Sequence, residues 1–118
     1  TQFKETFIEA KKLLESTNNI AKYWLLLEAN ARALISSGLH EEAQIQIQAA
    51  TEILSYSDAE PLHQMIILKT ATKVYLSSGD SILGLHFAAE AMRLGKTHGY
   101  DHQVSQLNQL LGEHFSKH

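Results

Sequence analysis

Ser36-Ser37-Gly38 returns 41 residues later as Ser77-Ser78-Gly79, and the residues on either side return with it. Before the glycine, Leu27, Ala31 and Leu34 correspond to Leu68, Thr72 and Tyr75; after it, Ala43, Ile47 and Ala50 correspond to Gly84, Ala88 and Ala91. Self-similarity at a period of this size marks a stacked supersecondary unit, one that cannot bury its apolar face alone. The apolar positions recur at spacings of three and four, so the unit is helical, and the glycine ends a helix by supplying left-handed backbone. The repeated unit is therefore a pair of helices joined by a short turn, which forces the two to pack antiparallel. Small residues recur where the helices of a pair cross closely.

Working outward, the same punctuation divides the chain into six helical segments, and no stretch alternates with the period of two that a half-buried strand requires. The first runs from about Phe3 to Glu15 with Phe3, Phe7, Ala10 and Leu14 on one face. The second spans Ile20 to Ser36, capped by Asn18 or Asn19, and the third carries Glu41 and Glu42 in its first turn and stops near Tyr56. Asp58 is the expected cap of the fourth, which tolerates Pro61 in its first turn and runs to Ser77. Asp80 caps the fifth, Ser81 to about His98, and Gly99 with Asp101 repeats the stop and cap before a sixth that ends near Phe115.

Calling the two helices of a unit A and B, the first segment matches a B helix at an offset of 40 and the sixth matches an A helix. The expected organisation is one helical-repeat domain: a half-repeat over 1–17, repeats over 18–57 and 58–99, and a capping helix over 100–118. A frame that opens on a B helix leads to the expectation of a longer native chain. Phe3 and Phe7 would then lie on an N-terminal edge prone to self-association, while Gln106, Gln109 and Glu113 would form the polar outer face of a terminal cap. The expected core is Leu27, Leu34, Ile47, Leu68, Tyr75, Ala88 and Ala91.

Composition narrows the function classes. The chain has 118 residues, 44% hydrophobic and 19% charged, with one proline and a net charge of −3. That suits one compact module and supplies no basic field to draw it to nucleic acid or acidic lipid. Its longest apolar run, Tyr23 to Leu27, is far short of the ~20 residues a membrane helix needs. The lack of cysteine removes disulfides, thiol nucleophiles and thiolate metal sites, and points to the cytosol or nucleus.

A large residue, then small ones, then an aromatic in helix A, a glycine at the turn and alanines in helix B resemble the tetratricopeptide repeats. Tyr75 and Leu34 stand in the aromatic place, Gly38 and Gly79 at the turn, and Ala43, Ala50 and Ala91 at the small places. Asn30 and Ala71 stand where leucine is usual, Gly84 replaces an alanine, and the offset exceeds the usual ~34 residues. The likeness is to the long-repeat variety, as in kinesin light chains or the fifth subunit of the anaphase-promoting complex. It implies an all-α, right-handed solenoid fragment of antiparallel hairpins whose A helices line a concave groove, and a role in protein interaction.

Candidate chemistry is thin. Gly95-Lys96-Thr97 lacks the upstream glycine of a phosphate-binding loop, with Glu90 in its place, and it closes a helix rather than opening one. His40-Glu41-Glu42-Ala43-Gln44 has glutamine where a zinc helix needs its second histidine. His98 with His102 and His114 with His118 are spaced by four without a third ligand, and His86 reads as a partly buried histidine with a backbone partner. Glu41, Glu42, Asp58, Glu60, Asp80 and Asp101 lie where helix starts favour negative charge. Neither catalysis nor a cofactor is expected. Trp24 and Tyr23 open the second segment, with Trp24 read as packing between hairpins.

One stripe is more informative. Leu25, Glu28, Arg32 and Ile35 share a helical face, and the next repeat places Ile66, Lys69, Lys73 and Leu76 at the same phases. Apolar ends and a mostly basic middle would suit a protein or peptide segment bearing acidic and apolar groups. Glu28 with Arg32 is also an ordinary intrahelical pair, and a solvated lysine face needs no ligand. The expected function is a non-catalytic interaction or scaffold module of a larger assembly. The alternative is a helical-repeat regulator that takes a peptide or small-molecule signal.

Overall fold

The computed structural model describes residues 20–54 and 59–116, which form α1 (Ile20–Ser36), α2 (His40–Leu54), α3 (Pro61–Ser77), α4 (Ser81–His98) and α5 (Asp101–Ser116). No strand occurs among the described residues, so the fold there is all-α. The expected first helix with Phe3, Phe7, Ala10 and Leu14, the caps at Asn18, Asn19 and Asp58, and the stop near Tyr56 lie outside the described residues. None of the described helices is long and apolar enough to cross a membrane.

The two repeated turns share the bonds that close them. Gly38 and Gly79 have φ of 78° and 89°, a left-handed conformation that costs glycine nothing. Each lets the chain fold back on its helix: Leu39 N–H donates to the Leu34 carbonyl at 2.9 Å, and Asp80 N–H to the Tyr75 carbonyl at 2.8 Å. Ser37 Oγ donates to the Ala33 carbonyl at 3.1 Å, and its counterpart Ser78 Oγ to the Val74 carbonyl at 2.7 Å. Carbonyls that the helix end would leave unpaired are thus satisfied in the same way in both hairpins.

Helix starts agree less closely with expectation. Asp80 caps α4, its Oδ1 accepting from Leu83 N–H at 3.1 Å. α3 begins with Pro61 after Glu60, whose carboxylate makes no capping bond; Gln64 instead donates its side-chain amide to the Ala59 carbonyl at 2.7 Å. Asp101 is the first residue of α5 rather than its cap, which still sets a carboxylate against the positive helix end.

Contact registers fix the helix directions. Asn30 meets Gln46 across the first turn and Tyr75 stacks on Phe87 across the second, so both hairpins are antiparallel. Trp24 meets His63 while Glu28 meets Thr70, so α1 and α3 run parallel. Lys69 reaches Gln103 and Gln106, and the C-terminal halves of α3 and α5 face one another further on, so these two run parallel as well. α3 packs against all four other helices.

That central position divides the core. Ile67, Ala71, Val74 and Tyr75 of α3 join α1 and α2 in one cluster, while Met65 and Leu68 join α4 and α5 in a second. Nine residues of α3 are buried, so it has no single solvent face. The close crossing expected in each hairpin is present: Ala43 is fully buried, and a Cβ on its counterpart Gly84 would lie 2.6 Å from Leu76 Cδ2. Of the expected core, Leu27, Ile47, Leu68, Tyr75, Ala88 and Ala91 are buried, but Leu34 is only half-buried at the edge of the first cluster. The cause lies one helix away. Tyr75 is covered by Phe87, and the residue equivalent to Phe87 in the first hairpin is Gln46, which turns to Asn30 instead.

Candidate binding groove

The eight stripe residues do not share one surface. Leu25, Arg32 and Lys73 are exposed, Ile66 and Lys69 are half-buried, and Glu28, Ile35 and Leu76 are buried. α3 lies against α1, and α5 against α3, so each A-type helix covers part of the face of the one before it.

Glu28 is the most heavily covered of these polar groups, at 2% exposure. Its Oε2 accepts the Thr70 hydroxyl at 2.6 Å and Arg32 Nε at 2.6 Å. A carboxylate removed from water requires such partners, because an unpaired buried charge costs several kcal/mol. Glu28 is therefore committed to the α1–α3 interface.

Lys69 is committed as well. Its ammonium donates to Gln103 Oε1 at 2.6 Å and Gln106 Oε1 at 2.5 Å, joining α3 to α5. Partial burial pushes its pKa below the ordinary lysine value; Glu28 opposes the shift and Arg32 adds to it. Gln106 was expected on the outer face of a capping helix, but it turns toward α3 because α5 runs alongside α3 rather than standing apart from it.

Beyond this clasp the two helices line a groove of about 740 Å³. Lys73, Leu76 and Ser77 of α3 form one wall, and Leu110, Glu113 and Phe115 of α5 form the other. Ser81, at the start of α4, lies at the groove as well. Lys73 makes no ion pair or hydrogen bond among the described residues, whereas Glu113 accepts from Gln109 one turn back, at 3.2 Å. Most of the rim is exposed, including Phe115 at 46%, and so the groove is open rather than enclosed.

The α5 wall is the part that sequence reasoning missed. Glu113 was expected on the polar outer face of a cap, yet it lines the groove together with Leu110. The available signal was the parallel relation of two A-type helices, which sets the late residues of one beside the late residues of the next.

The remaining candidates sit apart from the groove. Trp24 is fully buried against His63, as a packing residue would be, and its indole N–H has no hydrogen-bond partner among the described residues. His86 is exposed and pairs through Nε2 with Glu90 Oε1 at 3.2 Å, contrary to the expected buried histidine with a backbone partner. It lies on the outer face of α4, which no other described helix covers. His98 stacks on Tyr100 and His102 contacts Gln106, and no three groups of histidine, cysteine or carboxylate gather in metal-binding geometry among the described residues. No protein-family description matches the chain, and searches of curated proteins and solved structures give no match, so its functional reading rests on its own residues.

Proposed function

We propose that this chain is a non-catalytic protein-interaction module, a tetratricopeptide-like right-handed array that receives a partner segment in the groove between α3 and α5. One observation carries the reading. The groove combines an uncommitted ammonium at Lys73 with apolar contacts from Leu76, Leu110 and Phe115. Such a lining suits a segment that carries a carboxylate beside an apolar side chain. The exposed rim favours a chain segment over a small molecule, because small-molecule sites bury ~70–90% of their ligand. The lack of cysteine suits a reducing compartment, cytosol or nucleus.

The test uses Lys73→Glu, an exposed position on the groove wall, and spares Lys69 and Arg32, which the fold itself employs. Proteins retained by the wild-type chain are identified, and hydrogen exchange then maps where the retained partner protects it. The expected result is protection at Lys73 to Ser77 and Leu110 to Phe115, with capture lost in the Lys73→Glu variant. Protection confined to the outer face of α4, where Ile82 is 85% exposed, would contradict the reading.

A further inference from the structure

α5 is attached to the rest of the molecule in a different way from the other helices. Only Leu107 among its residues is buried, whereas α3 buries nine and α4 five. Val104, Leu110 and Leu111 add half-buried contacts to the second cluster. The connection to α4 passes through Gly99 at φ 72°, an exposed residue, and the Tyr100 N–H donates back to the Gly95 carbonyl at 2.8 Å. Elements with few buried contacts open at lower free energy than the global fold. What α5 lacks in apolar burial it partly replaces with the two charge-assisted bonds from Lys69, which are stronger than neutral ones.

We propose that α5 is a latched wall: it opens from the body as a unit about the Gly99 turn, and the clasp of Lys69 on Gln103 and Gln106 sets how often it does so. Lys69 is then a positioning residue for the groove rather than a contact for its occupant. The clasp lies on the N-terminal side of the groove along both helices, and the residues it holds in place, Leu110, Glu113 and Phe115, lie one to three turns further along α5. Opening removes one wall while Lys73, Leu76 and Ser77 stay on α3, and it uncovers Met65, Leu68 and Leu94 of the second cluster. A ligand that touches both walls binds only the latched form, so the latch taxes or favours its affinity by the population it maintains. The device does not depend on what occupies the groove.

Hydrogen exchange on the intact chain tests this, comparing wild type with Lys69→Met, Lys69→Arg, Gln103→Leu/Gln106→Leu and the triple variant Lys69→Met/Gln103→Leu/Gln106→Leu. Methionine keeps most of the lysine stem and removes the charge. Lys69→Met should speed exchange across α5 roughly five- to thirtyfold while leaving α1 and α2 unchanged. Lys69→Arg, which can still reach both acceptors, should restore part of the protection, and the triple variant should exchange no faster than the double. Trp24 is the only tryptophan and belongs to the first cluster, so its unchanged fluorescence certifies that the body remains folded. Should Lys69→Met fail to fold, the glutamine pair still reports, since it removes the acceptors from α5 and leaves α3 intact. Unchanged α5 exchange in the glutamine pair would overturn the proposal. So would faster exchange of all five helices in step.

Discussion

Glu28 and Lys69 occupy the same phase of successive A-type helices, 41 residues apart, and each is covered by the A-type helix that follows. The outcomes differ. Glu28 is sealed between α1 and α3, with the Thr70 hydroxyl and the Arg32 guanidinium as partners, whereas Lys69 is half-buried and held by two neutral glutamines at the edge of a groove. Thr70 and Lys69 are neighbours on α3, so one turn of this helix reaches backward to α1 and forward to α5. The difference teaches that the repeated position is an interhelix contact in both units. How firmly the contact holds depends on how much apolar surface surrounds it.

The largest expected effect breaks the tighter side. Thr70→Val keeps the shape and removes one donor from the buried carboxylate, and should cost about 2 kcal/mol in urea denaturation followed by Trp24 fluorescence. Repeating it in a Glu28→Leu background should abolish most of that cost. If it does not, the hydroxyl is not serving the carboxylate.

Of similar size are the effects at the crossings that set hairpin spacing. Ala91 is fully buried in the second cluster, and Ala91→Leu should destabilise by roughly 1–3 kcal/mol. Gly84→Ala should cost about 1–2 kcal/mol despite the better helix propensity of alanine, because its Cβ runs into the buried Leu76. An unchanged midpoint in either variant would mean that the second hairpin is looser than its packing.

A smaller effect separates the two sides by pH. Burial lowers the pKa of Lys69, so the unfolded chain holds its proton more tightly, and Lys69 contributes a penalty that is full below its folded pKa. That penalty lifts as pH rises from the folded pKa toward 10.5, so wild type should gain stability relative to Lys69→Met over that window. Tyr75, raised by burial and by the nearby charges of Asp80 and Glu52, acts with the opposite sign: above pH 10 the unfolded chain ionises first and stability falls. Denaturation curves for wild type, Lys69→Met and Tyr75→Phe across the alkaline range separate the two. The smallest effect belongs to Lys73→Glu, which should leave the denaturation midpoint in place, since Lys73 is exposed and has no partner among the described residues.

Much of the fold was legible because its signals are local. The paired glycines, the cap at Asp80 and the offset of 41 each report backbone geometry within a few residues, and the described helices begin and end close to where that punctuation places them. The groove was legible only in half. A helix face can be read from its phase, so Lys73 and Leu76 were found, but whether a face is open depends on the next helix, which phase alone does not specify. Glu28 and Lys69 had the same signature as Lys73 and were counted with it, although α3 covers the first and α5 clasps the second. Gln103 carried no signal of its own, because a glutamine on a polar helix face looks the same whether it meets water or a lysine.

The most direct test of the account asks whether α3 and α5 run parallel with the groove between their C-terminal halves. The chain contains no cysteine, so introduced pairs report without background. Ser77→Cys/His114→Cys places one thiol on each wall, and Ser77→Cys/His102→Cys places the second thiol at the other end of α5. A short bifunctional maleimide at dilute protein concentration should bridge the first pair within one molecule and leave the second unbridged. Bridging of the second pair with none in the first would show α5 running the other way, and the groove, the clasp and the proposed function would fall together.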